Sequence, residues 1–466
     1  MRVGFVVDHP KRDLGGAVML AHALAGRGIE AVLIPLYSQA IDVPLLALDA
    51  LIVNFARPVN LELVRAYADS GIAVFVLDTE GGVLADDGAN TPHRLAEYVR
   101  DSGYGDVLSG YFFWGSTLHD AFVRHSGMRP ESLHLTGCPR FDFAASRWRE
   151  ILDYPRDGFV LMNANFPLVN PRFVRSPEQE VASVVAAGWD ADYVVRILAD
   201  SRKILGNYLE TVRRLAAQFP EQPFLVRPHP FEDADLYRRS FASFANVTVD
   251  GRGSVLNAIQ HARCVLHVNC GTSIEAIMLG KLPLSMEFLN TELMSRHSSL
   301  PSRVSRKVES IEELLDVVAD TDAATAVYPF SQVHAELVRP WFHLADGYAS
   351  DRVAAVLRES ILARGSITPR PSVSRSLSAS RPRPRTGQRL QALVANGVGS
   401  LAAASLRSAW KPARREKSLG LGAIRRLVSS ICGHESTSVW QVNHARHPST
   451  GVPLASVVIA PAGVGH

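Results

Sequence analysis

Five short stretches of this 466-residue chain carry side chains suited to chemistry, and each follows a run that reads as a β-strand. Arg227–Pro228–His229–Pro230 comes directly after Phe224–Val226. Its two prolines fix the backbone and remove two donors, which sets the directions of the Arg and His side chains. A guanidinium fork and an imidazole that charges near neutral pH suit a phosphate or diphosphate. The same residues also read as a stiff turn whose side chains cap local backbone. Asn269–Cys270–Gly271–Thr272–Ser273–Ile274–Glu275–Ala276 follows Cys264–Val268 and opens a helix. Gly271 permits a tight turn, Thr272 and Ser273 suit the N-cap, and the N–H groups there make an anion site. Glu275 is placed to accept from ribose hydroxyls, or to close a capping box with Thr272.

The other three stretches are less charged or less constrained. Asp78–Thr79–Glu80–Gly81–Gly82 follows Ile72–Leu77 and puts carboxylates on a glycine-permitted turn. Glu80 beside the glycine pair is the general-base candidate, with Asp78 as its orienter. A solvated acidic turn is the alternative. Asp8–His9–Pro10 offers His9 to line a cleft or to begin a loop. Asn163–Ala164–Asn165–Phe166 offers Asn163 and Asn165 to a sugar or phosphate, or as turn stabilisers.

The elements that must hold these loops form two series. In the first, strand-like runs Val3–Val7, Ala31–Pro35, Leu51–Phe55, Ile72–Leu77, Tyr111–Trp114 and Leu133–Thr136 alternate with helical patterns such as Leu14–Arg27 and Leu61–Ser70. In the second, Phe159–Met162, Phe224–Val226, Val247–Val249, Cys264–Val268 and Leu282–Met286 alternate with a long helical stretch at Gln179–Gln218, broken near Gly188, and with shorter helices. Continuous apolar runs of this length suit strands covered on both faces. The expected fold class is α/β, with two Rossmann-like domains over residues 1–145 and 146–364 facing a central cleft.

Residues 365–466 differ in texture. They hold 14 Lys/Arg against two acids, a charge of +12, so the near-neutral +3 of the whole chain hides a body at −9. Ser366–Arg385 is rich in Ser, Pro and Arg and reads as disordered. Beyond it, Leu390–Leu406 and Leu421–Ile431 carry apolar residues at near-helical spacing, of a kind that lies on anionic membranes. A largely disordered extension without function is the plainer reading. With 47% hydrophobic residues the chain is no disordered polymer, and no apolar run reaches the roughly 18–20 residues of a membrane span. Val3–Val7 is cut off by Asp8, which does not read as a secretory signal. Cys138, Cys264, Cys270 and Cys432 share no metal or redox spacing, so no cofactor or metal is expected and a reducing cytoplasm fits.

Taken together, these residues resemble bacterial surface-carbohydrate biosynthesis proteins of the two-Rossmann-domain (GT-B) glycosyltransferase type. Asp78–Gly82 resembles the acidic-acidic-Gly motif of capsule Kdo transferases and bacterial polysialyltransferases. Arg227–Pro230 resembles their His-Pro motif, shared with CDP-glycerol glycerophosphotransferases, and Thr272–Ser273 their hydroxyl motif. The likeness covers roughly residues 1–345 and says nothing of the basic tail. Thr79 stands where the family has the first acid of its pair, so the base assignment rests on Glu80 alone.

The resemblance implies metal-independent transfer of a sugar from a nucleotide donor, CMP- or CDP-linked by preference, to a surface-polysaccharide or glycolipid acceptor. Glu80 would take the acceptor proton. His229 would stabilise the leaving phosphate, with Arg227, Gly271, Thr272 and Ser273 sharing its charge and Glu275 holding the ribose. A nucleotide-sugar 2-epimerase and a non-catalytic nucleotide-sugar-binding subunit of a membrane assembly are the competing readings. The basic tail suggests a peripheral position at the inner face of the cell membrane. No aromatic platform accompanies it, so no nucleic-acid partner is expected.

Overall fold

The computed structural model describes residues 1–81, 91–186, 189–365, 401 and 415–461. The chain divides into two compact units. The first comprises residues 1–81, 91–151, 341–365 and 415–461, and the second residues 152–340.

The body of the first unit is a parallel sheet of β1 (Arg2–Val7), β2 (Glu30–Pro35), β3 (Ala50–Val53), β4 (Ala73–Leu77), β5 (Gly110–Phe113) and β6 (Leu133–Leu135). These run in the order β2-β1-β3-β4-β5-β6. Val3 pairs with Ala31 on one side and Ala50 on the other. Val3, Val32, Leu51, Val74 and Tyr111 are all fully buried, as a sheet covered on both faces requires. The helix Pro10–Ala25 starts where His9 accepts the Lys11 N–H on its ring, with Pro10 in the first turn and Asp13 inside it. A Cβ on Gly16 would meet the Arg140 backbone nitrogen at 2.6 Å, so only glycine lets this helix approach the chain leaving β6.

The second unit is a six-stranded parallel sheet of β7 (Phe159–Asn163), β8 (Phe224–Arg227), β9 (Val247–Val249), β10 (Ala262–His267), β11 (Leu282–Met286) and β12 (Arg306–Val308), ordered β12-β11-β10-β7-β8-β9. The helix Ala191–Gln218 covers one face. Its buried residues Ile197, Ile204, Leu205, Tyr208, Val212 and Leu215 fall at the three- and four-residue spacing that makes one apolar stripe. The expected interruption near Gly188 falls beside residues 187–188, outside the described residues; helices Pro177–Ala186 and Ala191–Gln218 flank it. Two Rossmann-like α/β sheets are therefore what the chain forms.

Two expectations about the later chain change. The helix Ala349–Arg364, read as closing the second domain, belongs to the first unit. The carboxylate of buried Asp142 accepts the N–H groups of Ala349 and Ser350 at 2.9 and 2.8 Å, capping that helix from the loop after β6. Arg352 Nε donates to the Thr136 carbonyl at 2.7 Å.

The second change concerns the tail. Residues 366–400 and 402–414, with Ser366–Arg385 and most of Leu390–Leu406, lie outside the described residues. Residues 415–461 fold onto the first unit as the helix Leu421–His434 and a hairpin of β13 (Gln441–Arg446) and β14 (Pro453–Ala460). β14 joins the sheet antiparallel to β2, with Val458 opposite Val32, and β13 becomes the edge. Ile424, Val428, Ile431 and Cys432 are buried. The stripe read as lipid-facing is thus occupied by protein, because the helix Pro10–Ala25 offers it an apolar face. His22 anchors the junction. Trp440 Nε1–H donates to its Nδ1 at 2.9 Å, so its Nε2–H donates to Glu435 at 2.8 Å. No described helix is long and apolar enough to cross a membrane.

Candidate functional site

Counted from β7, the second unit's strands run 3-2-1-4-5-6, so the chain leaves β7 and β10 in opposite directions. Such a switch point opens a crevice at the strands' carboxyl ends. Both polar stretches of this unit's centre meet there. Asn163, the last residue of β7, donates from Nδ2 to Thr272 Oγ1 at 2.7 Å, and Asn165 donates to the Asn269 carbonyl at 3.2 Å. Asn269 adopts a left-handed φ of 49°, a conformation that asparagine tolerates better than most residues. Its amide and that of Asn290 bond reciprocally at 2.7 and 3.0 Å. Behind the turn, fully buried His267 accepts the Cys270 N–H on Nδ1 and bonds Ser305 Oγ through Nε2. Burial lowers its pKa to about 4, so it holds this turn as a neutral ring.

The hydroxyls do not sit as an N-cap. Gly271 occupies the cap of the helix Thr272–Met278, with no side-chain hydrogen bond, and Thr272 instead turns its hydroxyl to Asn163 and Cys270. No capping box forms with Glu275. The Asn163 Oδ1 and Ser273 Oγ atoms are buried and have no hydrogen-bond partner among the described residues. Two such groups side by side at a switch point call for a polar ligand. Glu275 is buried one turn inside the helix.

The Arg227–Pro230 loop leaves the neighbouring strand β8. Arg227 is 8% exposed, and its guanidinium donates to the carbonyls of Arg252 and Gly253 at 2.8 and 2.5 Å. Burial lowers its pKa, with Tyr154, Asp250 and Glu275 working in the other direction. Its fork is engaged by the loop after β9, so Arg227 acts locally as a brace. His229 is half-buried, and its Nδ1 accepts the Phe231 N–H at 3.3 Å, which leaves the proton on Nε2. A residue that escaped the sequence reading controls this loop. Glu232, 2% exposed, accepts the N–H of His229 at 2.7 Å, the N–H of Phe166 at 3.0 Å and the hydroxyl of Tyr237 at 2.6 Å. One carboxylate therefore ties the loop after β8 to the loop after β7. Burial raises its pKa to about 7 against those three hydrogen bonds.

The first unit's sheet switches direction between β1 and β3, and its acidic turn lies close by. Asp78 is 2% exposed, bonded to Arg57 at 3.0 Å and accepting the Glu80 N–H at 2.9 Å. It holds the turn. Glu80 projects outward, its side chain 64% exposed and 3.5 Å from Arg12. His9 does not line an open surface: it is buried as the cap of its helix, and its pKa is lowered to about 4 by burial and by Lys417 and Arg12. Gly82 lies outside the described residues. Arg12, Arg57 and Lys417, which complete the charges here, carried no motif; spacing from Asp8 in a helical pattern could have flagged Arg12. Among the described residues no three His, Cys, Asp or Glu side chains group as a metal ion would need.

No family model matches the sequence, and no curated protein matches it. Solved structures do. A UDP-GlcNAc 2-epimerase of Methanocaldococcus jannaschii is similar over 77% of this chain and 100% of its own, with 12% identity and a TM-score of 0.47. The wall teichoic acid polymerase TagF is similar over 78% of this chain and 90% of its own, with 11% identity and a TM-score of 0.49. A UDP-GlcNAc 2-epimerase of Neisseria meningitidis is similar over 77% and 100%, with 12% identity and a TM-score of 0.44.

Proposed function

We propose that this chain is a glycosyltransferase that takes a sugar from a nucleotide donor to a carbohydrate acceptor. The observation that carries the reading is the switch point of the second unit. There Asn163, Thr272 and Ser273 converge, two buried polar atoms stand without partners, and His229 is held on the adjoining loop by Glu232. The nucleotide diphosphate or monophosphate lies at this crevice. Ser273 and Asn163 bond its oxygens, and the Nε2–H of His229 donates to the phosphate as its bond to the sugar breaks, where negative charge develops. Glu275 bonds the ribose hydroxyls, and Arg227 serves by bracing the loop.

Glu80 accepts the proton of the attacking hydroxyl. It is the exposed carboxylate of a turn whose other acid, Asp78, is committed to Arg57. A cytidine nucleotide is the preferred donor class, on the likeness of Asp78–Gly81 and Arg227–Pro230 to the Kdo- and sialyl-transferring and glycerophosphate-transferring motifs. The product belongs to surface polysaccharide or glycolipid assembly.

A thermal-shift panel of CMP, CDP, UDP and GDP with their linked sugars tests the donor. Binding to the native state alone raises the midpoint, so one nucleotide class should stand out. A flat response across the panel would sink the nucleotide reading. Interconversion of a nucleotide sugar with no acceptor present would replace transfer by epimerisation.

A further inference from the structure

The carboxyl edge of the first unit's sheet is a ladder of opposite charges. Lys417 Nζ, from the C-terminal segment, lies 2.7 Å from one oxygen of Asp8, and Arg12 lies 2.6 Å from the other. Arg12 also bonds Asp13 at 2.8 Å and stands 3.5 Å from Glu80. Lys11 is 3.6 Å from Glu416, and Arg57 is 3.0 Å from Asp78. Arg140, after β6, lies over the rings of Trp114 and Phe141. Five acids thus face four cations along the ladder, and each of those cations is within an ion pair. An anionic ligand would meet a surface of the wrong sign. To gain a cation it would have to break a pair in a half-buried network and leave a carboxylate uncompensated.

Two other features of the same edge suit an uncharged polyol. Tyr37, directly after β2, is 46% exposed, and the Lys417 ammonium stands 5.6 Å from its ring centroid. An exposed ring beside carboxylates offers an apolar face for the C–H groups of a sugar and acceptors for its hydroxyls. Asn54, directly after β3 at the switch point, is 2% exposed. Its carbonyl accepts the Thr79 N–H at 2.9 Å, while its Nδ2 has no partner among the described residues. A buried amide donor left open beside the Glu80 turn fits an acceptor oxygen without charge.

We propose that the first unit binds an uncharged oligosaccharide, its terminal hydroxyls at Glu80 and Asn54 and its chain running along the paired charges to Tyr37. The assignment rests on the reading of Glu80 as the acceptor's base. It specifies what the acceptor is: a neutral glycan, set apart from sialylated, uronic or phosphorylated chains. Lys417 makes the C-terminal segment part of this surface, because it neutralises Asp8 where an anionic group would otherwise need excluding by repulsion alone.

The full-length protein is applied to an array of immobilised neutral glycans (hexose and N-acetylhexosamine oligomers) and acidic ones, in about 50 and about 500 mM sodium chloride. The expected result is retention by neutral members, changed less than about twofold by salt and weakened about tenfold or more in Tyr37→Ala. Retention by acidic members that falls with salt, retention by none, or retention unchanged in Tyr37→Ala overturns the assignment. The thermal response of Tyr37→Ala to CDP and UDP should match that of the unaltered protein. Loss of the nucleotide response in both proteins, with neutral glycans still bound, would count against the second unit's reading and leave this one standing.

Discussion

Glu232 shows how much of a site can rest on one residue that carries no motif. It sits three positions after His229, yet its meaning comes from Phe166, on the loop after β7, and from Tyr237. A sequence reading sees the His-Pro pair because proline constrains backbone locally; it cannot see a carboxylate whose partners arrive from another strand. The same holds for Arg227, whose fork is taken by the carbonyls of 252–253. Glu80 and His229 themselves were legible, since both stand on turns that glycine or proline dictates. Glu80→Gln and His229→Ala are each expected to lower transfer at least about a hundredfold with the fold intact, measured as released nucleotide in the presence of acceptor. Full activity in both would remove them from the chemistry.

The buried pair Glu232 and His267 also sets a pH response. The Glu232 pKa is raised from 4.5 to about 7, so the native state holds the proton longer and stability is lost as pH rises through that window. The His267 pKa is lowered from 6.5 to about 4, so the unfolded state protonates first and stability is lost as pH falls through its window. Between about pH 4.5 and 6.5 the two slopes oppose. Glu232→Gln removes one of them. Its second unit should then lose up to about 3 kcal/mol between pH 6.5 and 4, read from hydrogen exchange at β7 and β10. An unchanged profile would refute the burial argument.

At the scale of elements, the parallel strands β1–β11 were legible because each is a short apolar run buried on both faces. Val247–Val249 and Leu282–Met286 coincide with their expected limits. β12, β13 and β14 were not. Arg306–Val308 is three residues with two charges, and the apolar run Leu454–Ile459 was lost in a tail judged by its overall composition. The helix Leu421–His434 had the right periodicity and the wrong partner. An apolar stripe states that something must cover it and leaves open whether lipid or protein does. Val428 is 1% exposed, so Val428→Asp places a carboxylate in a packed interface. The C-terminal segment is expected to lose at least about 2 kcal/mol of local stability. Faster proteolysis after Arg425 and Arg426 would report it; protection equal to that of the unaltered chain would show that the helix is not held by this face.

For the whole molecule, strand order explains why distant motifs matter together. In the second unit the order 3-2-1-4-5-6 brings Asn163 to Thr272, 109 residues on, and no local pattern encodes that meeting. The split in charge was legible from counting, but its consequence was not: Lys417 and Glu416 of the basic portion engage Asp8 and Lys11 of the acidic body. Residues 415–461 hold to the first unit by the β2–β14 ladder, by His22 with Glu435 and Trp440, and by Asp42 accepting from Ser456 at 2.9 and 2.6 Å. None of these bonds depends on the peptide links between residues 366 and 414. A protease site engineered there should give, after cutting, two fragments that travel as one species in gel filtration and part only in denaturant. The protein would then be a natural candidate for splitting into two separately expressed chains that restore binding when mixed.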